Sequence, residues 1–496
     1  MKSKTYITLF SSAGVGCYGF KMNDFECIAT NELLEARLNV QRANHKCKYE
    51  TGYIGGDITS KEVHDKLFAE INMWREKEGL EQVDVVFATP PCQGMSTANY
   101  KKTDDEQIRN SLVVQAIKLV SQIKPKIFIF ENVRAFMKTI CTDTDGNDKL
   151  ISESIYNNLS EDYNIFYEVI NFKDYGVPSS RPRTIVIGTS KSIKSLSPLS
   201  LFPSKHNEIK LREIIGDLSP LAYCEKDKED YLHFARPFPE EQLVWIQNLA
   251  EGQSAFQQPV ELQPSHIDKN GERVLNKGAY MGNKYRRLIW DKVCSCIHTR
   301  NDVLSSQDTI HPVDNRVLSI RELMRVMTIP SNFKWTSYDD TITVANADDY
   351  LKANELNIRR CIGEAVPTHI IKSISHKIKL ALSNADLNQE IFFNKCKDLT
   401  VSENVVRIKC VDSDTIHNYM HQIAGLYTLK DAVEIYCVDC SDSAKKMIKK
   451  ALEAWDLSDF LKIIFISTKE AQMYNYNLIY QSRTLQPHIV SQLSLF

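Results

Sequence analysis

The chain has almost no net charge, no long apolar run and no low-complexity tract. Its 61 Lys and Arg nearly balance 63 Asp and Glu, giving a formal net charge of −2 over 496 residues. That excludes a generally polybasic protein, but leaves room for a local basic groove on a neutral body. No apolar run approaches the ~20 residues that a membrane helix needs. The first residues, MKSKTYITLF, soon meet Ser, Gly and Cys and lack a signal-peptide core. With 18 Gly and 16 Pro, collagen-like and low-complexity architectures are excluded, and no repeat recurs at periods of 20–50 residues. The 13 Cys are odd in number and scattered, which fits reduced thiols in a cytoplasmic protein better than a disulfide framework. The tight pair Cys294-Ser-Cys296 does not by itself make a zinc set, so no metal is expected.

What is there is an ordinary globular composition, 43% hydrophobic and 25% charged. Length alone allows two to four domains. Tyr6–Phe10, Cys27–Thr30, Val83–Ala88, Ile127–Phe130 and Thr184–Gly188 read as strands. The run before Trp74 and the stretch Ser111–Ile123 read as helices. Strand and helix alternating at this spacing predict an α/β fold with a parallel, doubly wound sheet. From about 190 to 312 the pattern weakens into a loop-rich module, with Glu240–Ala250 as its one long periodic stretch. A helix returns around Arg321-Glu-Leu-Met and closes before Pro330. Tyr338–Glu355 is polar and reads as an insertion or linker. Beyond about Asn384, Val405–Val411, Val433–Val438 and Leu461–Ile466 are strand-like, and Ser443–Ala454 reads as a Lys-rich helix.

Three motifs carry chemistry. Phe10-Ser-Ser12-Ala13-Gly14-Val-Gly16-Cys-Tyr-Gly19 follows the first strand and contains a literal GxGxxG. Glycines there permit a tight turn that brings backbone N–H groups to a ligand. Glu32 closes the next strand-like run, where a carboxylate can accept both hydroxyls of a ribose. Asp57, before Ile58, stands where a third strand would end and can accept from an adenine amino group. Taken singly, either carboxylate reads as a solvated loop residue. The third motif is Asp84-Val-Val-Phe-Ala-Thr-Pro90-Pro91-Cys92-Gln93-Gly94-Met-Ser96. A buried strand ends at two prolines, which stiffen the turn, and presents one thiol at the sheet edge where α/β ligand sites lie. The other cysteines read as buried structural thiols.

Pro90-Pro91-Cys92-Gln93 resembles the nucleophile motif of the cytosine-5 DNA methyltransferase family. Phe130-Glu131-Asn132-Val133 resembles its Glu-Asn-Val motif. Ser179-Ser-Arg181-Pro-Arg183 resembles its Gln-x-Arg-x-Arg motif. Arg316–Glu322 resembles the helix that braces the recognition region, and Gly363-Glu364-Ala-Val366-Pro resembles the late segment that returns to the cofactor. These motifs stand in family order across roughly residues 1–385.

The resemblance implies a Rossmann-like sheet with an inserted target recognition domain. Its expected layout is 1–200 catalytic, 201–315 target recognition, 316–385 return segment and 386–496 an accessory α/β domain. It implies S-adenosyl-L-methionine as cofactor, with S-adenosyl-L-homocysteine as product. Phe10, Ser12, Ala13, Gly14, Glu32, Asp57, Ile58, Pro90, Leu112, Glu364 and Val366 would line that site. Cys92 would add to C6 of a flipped cytosine, so that C5 becomes nucleophilic. Glu131 would hydrogen-bond N3 and the exocyclic amine, Asn132 would orient the loop, and Arg183 and Arg181 would stabilise the O2 side. Gln93, Ser96, Lys284, Arg286 and Arg287 would touch double-stranded DNA. The enzyme is expected to be monomeric, off the membrane, in a prokaryotic cytoplasm at the nucleoid, and part of restriction–modification. The tail could grip DNA or a partner protein, although His417 and His421 lack a third metal ligand and the helix lysines read as a solvated face.

The chain departs from the family pattern at Ser12 and Val15, which replace glycines, at Ser179, which replaces Gln, and at Glu364, which replaces Asn. An RNA cytosine-5 methyltransferase would share every catalytic residue named. A nicotinamide oxidoreductase would explain the glycine loop and Glu32 but none of the other motifs.

Overall fold

In the computed structural model, the described residues are 3–91, 111–193, 196, 198–276 and 282–386, with short strand and helix positions in the tail between 405 and 466. A seven-stranded sheet forms the centre, in the order β3-β2-β1-β4-β5-β9-β8. Strands β1 (Thr5–Leu9), β2 (Glu26–Glu32), β3 (Tyr53–Gly55), β4 (Val85–Ala88) and β5 (Ile127–Val133) run parallel. A two-stranded ribbon, β6 (Ile140–Thr142) and β7 (Asp148–Leu150), follows. Then β8 (Tyr163–Asn171) and β9 (Pro182–Ser190) close the sheet as an antiparallel hairpin, with β9 against β5.

Strict alternation builds this sheet. Tyr6, Val85, Phe87, Ile127 and Ile129 enter one buried cluster, while Ile7, Leu9, Val86, Ala88, Phe128 and Phe130 enter another. Successive side chains of a strand point to opposite faces, so both faces must be covered. Helices α3 (Lys61–Glu78) and α4 (Leu112–Ile123) cover the second face. In α3 the Ser60 hydroxyl caps the first turn by accepting from Val63 N at 3.3 Å, and Gly79 ends it at φ 63°. Helix α1 (Tyr18–Lys21) and a late helix, Thr368–Asp386, cover the first face through Phe20, Ile370, Ile371, Ile374 and Ile378. Among the described residues up to 386, the remaining helices are α2 (Glu35–Ala43), α5 (Ile151–Leu159), α6 (Leu211–Ile215), α7 (Leu243–Ile246), α8 (Ile320–Val326) and α9 (Ala347–Glu364); the late helix is α10.

Three expectations change. Tyr338–Glu355 is no linker: α9 runs through half of it and buries Tyr350, Leu351 and Ile358 on one face. Glu240–Ala250 is not one helix but a 3-10 turn, Glu240–Gln242, followed by the single turn α7. The hairpin strand β8 carries no counterpart among the expected strands. The stretch 198–315 is irregular, as its composition suggests, with one exposed hairpin, β10 (Ser265–Ile267) and β11 (Arg273–Leu275). Its small core of Ile246, Leu249, Ala255, Tyr285, Leu304 and Ile310 is completed by Val317, just beyond the stretch. In the tail, β12 (Val405–Lys409), β13 (Val433–Val438) and β14 (Leu461–Ile466) pair in parallel. His417, His421 and Lys450 lie outside the described residues. Among the described residues, no helix is long and apolar enough to cross a membrane.

Candidate active site

The strand order reverses between β1 and β4, and in doubly wound sheets ligands sit outside the strand ends at that point. The glycine loop leaves β1 there, and Pro90 leaves β4 beside it. Thr89 joins them, its hydroxyl donating to Phe10 O at 2.9 Å. The loop is strained: Phe10 and Ser12 hold φ of 57° and 48°, and Gly14 holds 78°. Glu32 fixes it, with Oε2 accepting from Ser12 N at 2.7 Å and Oε1 from Leu34 N at 3.2 Å. Ser12 Oγ is buried without a hydrogen-bond partner. Ala13 is buried behind the loop.

The glycines divide their work. A Cβ on Gly14 would meet Gln41 Cγ at 3.0 Å, whereas one on Gly19 would stand 2.4 Å from Lys372 N. One on Gly16 would meet Val366 Cβ and O at 3.1 Å. Gly16 and Gly19 therefore admit the return segment and α10, and only the start of the loop faces the ligand crevice. Val366 is accordingly corrected: its side chain is buried against Gly16, supporting the loop from behind. Asp57 is exposed after β3, with Oδ1 accepting from Thr59 N at 2.8 Å, and Ile58 is buried. Leu112 is half-buried at the start of α4.

Residues without a sequence signal complete this half. Gln41 props the loop, donating to Ser11 Oγ at 2.8 Å and Ser12 O at 2.6 Å. Leu33 is 65% exposed beside Glu32. Arg37 pairs with Glu364 at 2.8 Å, so one oxygen of the Glu364 carboxylate meets a guanidinium on α2. Arg37 stands on the polar side of a short helix, and only the three-dimensional return of residue 364 gives it a role. The site fits an amphipathic nucleoside cofactor: a fixed carboxylate, an exposed apolar neighbour and an unpartnered buried hydroxyl.

The other half lies at the ends of β4, β5 and β9. Cys92, Gln93 and Ser96 lie outside the described residues. The turn that leads to them is held by Asn132, whose Nδ2 donates to Pro90 O at 2.9 Å. Glu131 is buried at the end of β5, and Arg183 Nε approaches its Oε1 at 3.3 Å. The antiparallel register places Val133 opposite Arg183, which sets both side chains at one edge. Burial pushes the Glu131 carboxyl above its ordinary range, against the opposing pull of Arg183 and then Arg181. Arg181 differs from its expected role. It is buried, and its guanidinium donates to Ile297 O at 2.7 Å, Gly363 O at 3.0 Å and Glu364 O at 3.3 Å. It is a positioning residue that ties the loop-rich module to the return segment. Ser179 acts in the same seam, donating to Ser295 O at 3.1 Å.

Among the expected DNA contacts, Arg287 is corrected. It is 2% exposed and spends its guanidinium on the carbonyls of Leu249, Ile246, His311 and Asp314. It organises the module from inside. Arg286 is half-buried and donates to Gly252 O at 2.8 Å. Lys284 is half-buried in a bridge to Gln307.

A doubly wound sheet with a glycine loop at its switch point, and a buried Glu–Arg pair beside it at the ends of β5 and β9, is the framework of an α/β group-transfer enzyme. The chain belongs to the C-5 cytosine-specific DNA methylase family, whose profile matches residues 5–380. It is a DNA (cytosine-5) methyltransferase. Type II methyltransferase M1.HgaI of Avibacterium volantium is 30% identical over 389 residues, which span 75% of this chain and 97% of that one. Type II methyltransferase M.XorII of Xanthomonas oryzae pv. oryzae is 24% identical, over 76% of this chain and 84% of its own. Type II methyltransferase M.FnuDI of Fusobacterium nucleatum is 25% identical, over 77% and 95%.

Proposed function

We propose that the enzyme methylates C5 of a cytosine flipped out of a specific duplex DNA sequence, as the modification arm of a restriction–modification system. Cys92 adds as a thiolate to C6, which makes the ring an enamine and C5 a nucleophile. Glu131, whose carboxyl burial pushes above its ordinary range, hydrogen-bonds N3 and so limits negative charge on the ring. Arg183 steadies that carboxyl and reaches the O2 edge. S-adenosyl-L-methionine supplies the methyl group when bound, held through its ribose by Glu32 and along its adenine by Leu33. A base then removes the C5 proton and the thiol leaves. The stretch 201–315 reads the target, with Lys284 and Arg286 on phosphate. The observation that carries this reading is the buried Glu131–Arg183 pair beside the Pro90 turn that leads to Cys92.

The test is bisulfite sequencing of DNA from cells expressing the protein, with methyl transfer measured on duplex DNA and on tRNA. Methylcytosine within one recurring duplex sequence is expected, and Cys92→Ser should abolish it. Transfer to tRNA alone, or a Cys92→Ser protein that still methylates, contradicts the reading.

A further inference from the structure

Arg37 lies between two carboxylates of unequal duty. Its Nη2 meets Glu364 Oε2 at 2.8 Å, while its Nη1 stands 3.9 Å from Glu32 Oε1, a loose ion pair too long for a hydrogen bond. The Arg37 side chain is 13% exposed, and its Nε is buried without a partner. A guanidinium so placed seeks a carboxylate fork. Glu32 offers one. Each of its oxygens already accepts a backbone N–H, which leaves one lone pair on each. Those remaining lone pairs are what two ribose hydroxyls require.

The position of Glu364 is set by the fold. It ends α9 directly after Gly363, where an added Cβ would lie 2.4 Å from His298 O. Arg181 holds both carbonyls of the Gly363–Glu364 pair. The carboxylate therefore projects from a pinned backbone onto Arg37.

We infer that Glu364 is a counter-ion that holds Arg37 off Glu32 and so keeps the ribose acceptor open. Both are positioning residues, acting through Glu32. The inference rests on the cofactor reading above. Without the Glu364 charge, Arg37 closes the gap and occupies the acceptor itself. Removing Arg37 as well opens it again.

The test uses the full chain, with S-adenosyl-L-homocysteine as the calorimetric probe and S-adenosyl-L-methionine in steady-state kinetics. Glu364→Gln should weaken S-adenosyl-L-homocysteine binding and raise the KM for the methyl donor by roughly tenfold, the scale of one charge-assisted hydrogen bond, with kcat within about twofold. The Arg37→Met/Glu364→Gln double variant should recover affinity to within about threefold of the wild type, a non-additivity that loss of packing would not produce. A Glu364→Gln protein that binds normally, or a double variant as weak as the single one, overturns the inference. Arg37→Met alone should also stay within about threefold, and this arm stands if Glu364→Gln fails to fold. A roughly tenfold loss there would show that Arg37 is itself required and overturn the inference. A wild-type chain that binds no S-adenosyl-L-homocysteine instead overturns the cofactor reading, and this inference with it.

Discussion

Glu131, proposed above for catalysis, carries a cost in stability. Its folded-state pKa lies above the ordinary value because burial disfavours the charged form more than Arg183 and Arg181 favour it. A carboxyl raised in this way contributes stability below the unfolded pKa of ~4.3 and loses it as pH rises through the folded value. Glu131→Gln removes that penalty and keeps an oxygen for Arg183 to meet. Its thermal midpoint should match or exceed the wild type at pH 8, while methyl transfer falls at least ~100-fold. Melts at pH 5 and pH 8 beside a transfer assay check this; a variant less stable at pH 8 than the parent contradicts it. The motif residues themselves are legible because their chemistry is written in residue type. Arg37, Gln41 and Leu33 are not, because each acquires its role from a neighbour brought by the fold. Arg287 shows the converse: a surface-like Tyr-Arg-Arg run whose second guanidinium serves as an internal scaffold of carbonyl contacts.

Elements are legible where one period dominates. β1, β4 and β5 alternate between two buried clusters, so composition and period agree. α9 is hidden because its first turn carries Asp348 and Asp349, and its buried face is spread thinly over Ala347, Tyr350, Leu351 and Ile358. The GxGxxG reads as a ligand loop from end to end, yet its last glycine is a packing contact between α1 and α10. Gly19→Ala would drive a methyl into the backbone of Thr368, Ile371 and Lys372. Overpacking against backbone costs ~1–3 kcal/mol or more, so the melting temperature should fall by several degrees. α8 carries a different liability. Glu322 is held at about 2 by the bidentate Arg316, although burial opposes it. His311, packed against both, is lowered to about 4, chiefly by burial. A depressed His contributes stability above its unfolded pKa of ~6.5 and loses it as pH falls towards 4. That single group accounts for up to about 3 kcal/mol of acid sensitivity. Denaturant titrations between pH 7 and pH 4 should show this slope in the wild type and a flatter one in His311→Asn; equal slopes count against it.

At the scale of the whole molecule, near neutrality constrains how the enzyme holds DNA. A net charge of −2 supplies no general attraction, so affinity must come from few, local phosphate contacts. Neither Arg287 nor Arg181 is available for them, since both are buried on carbonyl groups. The tail is then a candidate source of grip in physical terms: it lies beyond residue 380, where the family match ends, and carries Lys445, Lys446 and Lys449 after β13. The sheet does not need it for closure, because α3 and α4 cover one face and α1 and α10 the other, although among the described tail residues Phe465 packs on the core. A chain ending at Asp386 should therefore fold, bind S-adenosyl-L-homocysteine and keep kcat at saturating DNA within about twofold, since the groups proposed for chemistry are all retained. If the tail grips DNA, its removal weakens cognate and non-cognate duplex alike. The slope of log affinity against log salt then drops by about 0.9 for each phosphate that the tail had neutralised. An unchanged affinity with an unchanged slope, measured between about 50 and 200 mM salt, rules out the DNA grip, and partner binding unchanged by the same deletion rules out the other role proposed for the tail.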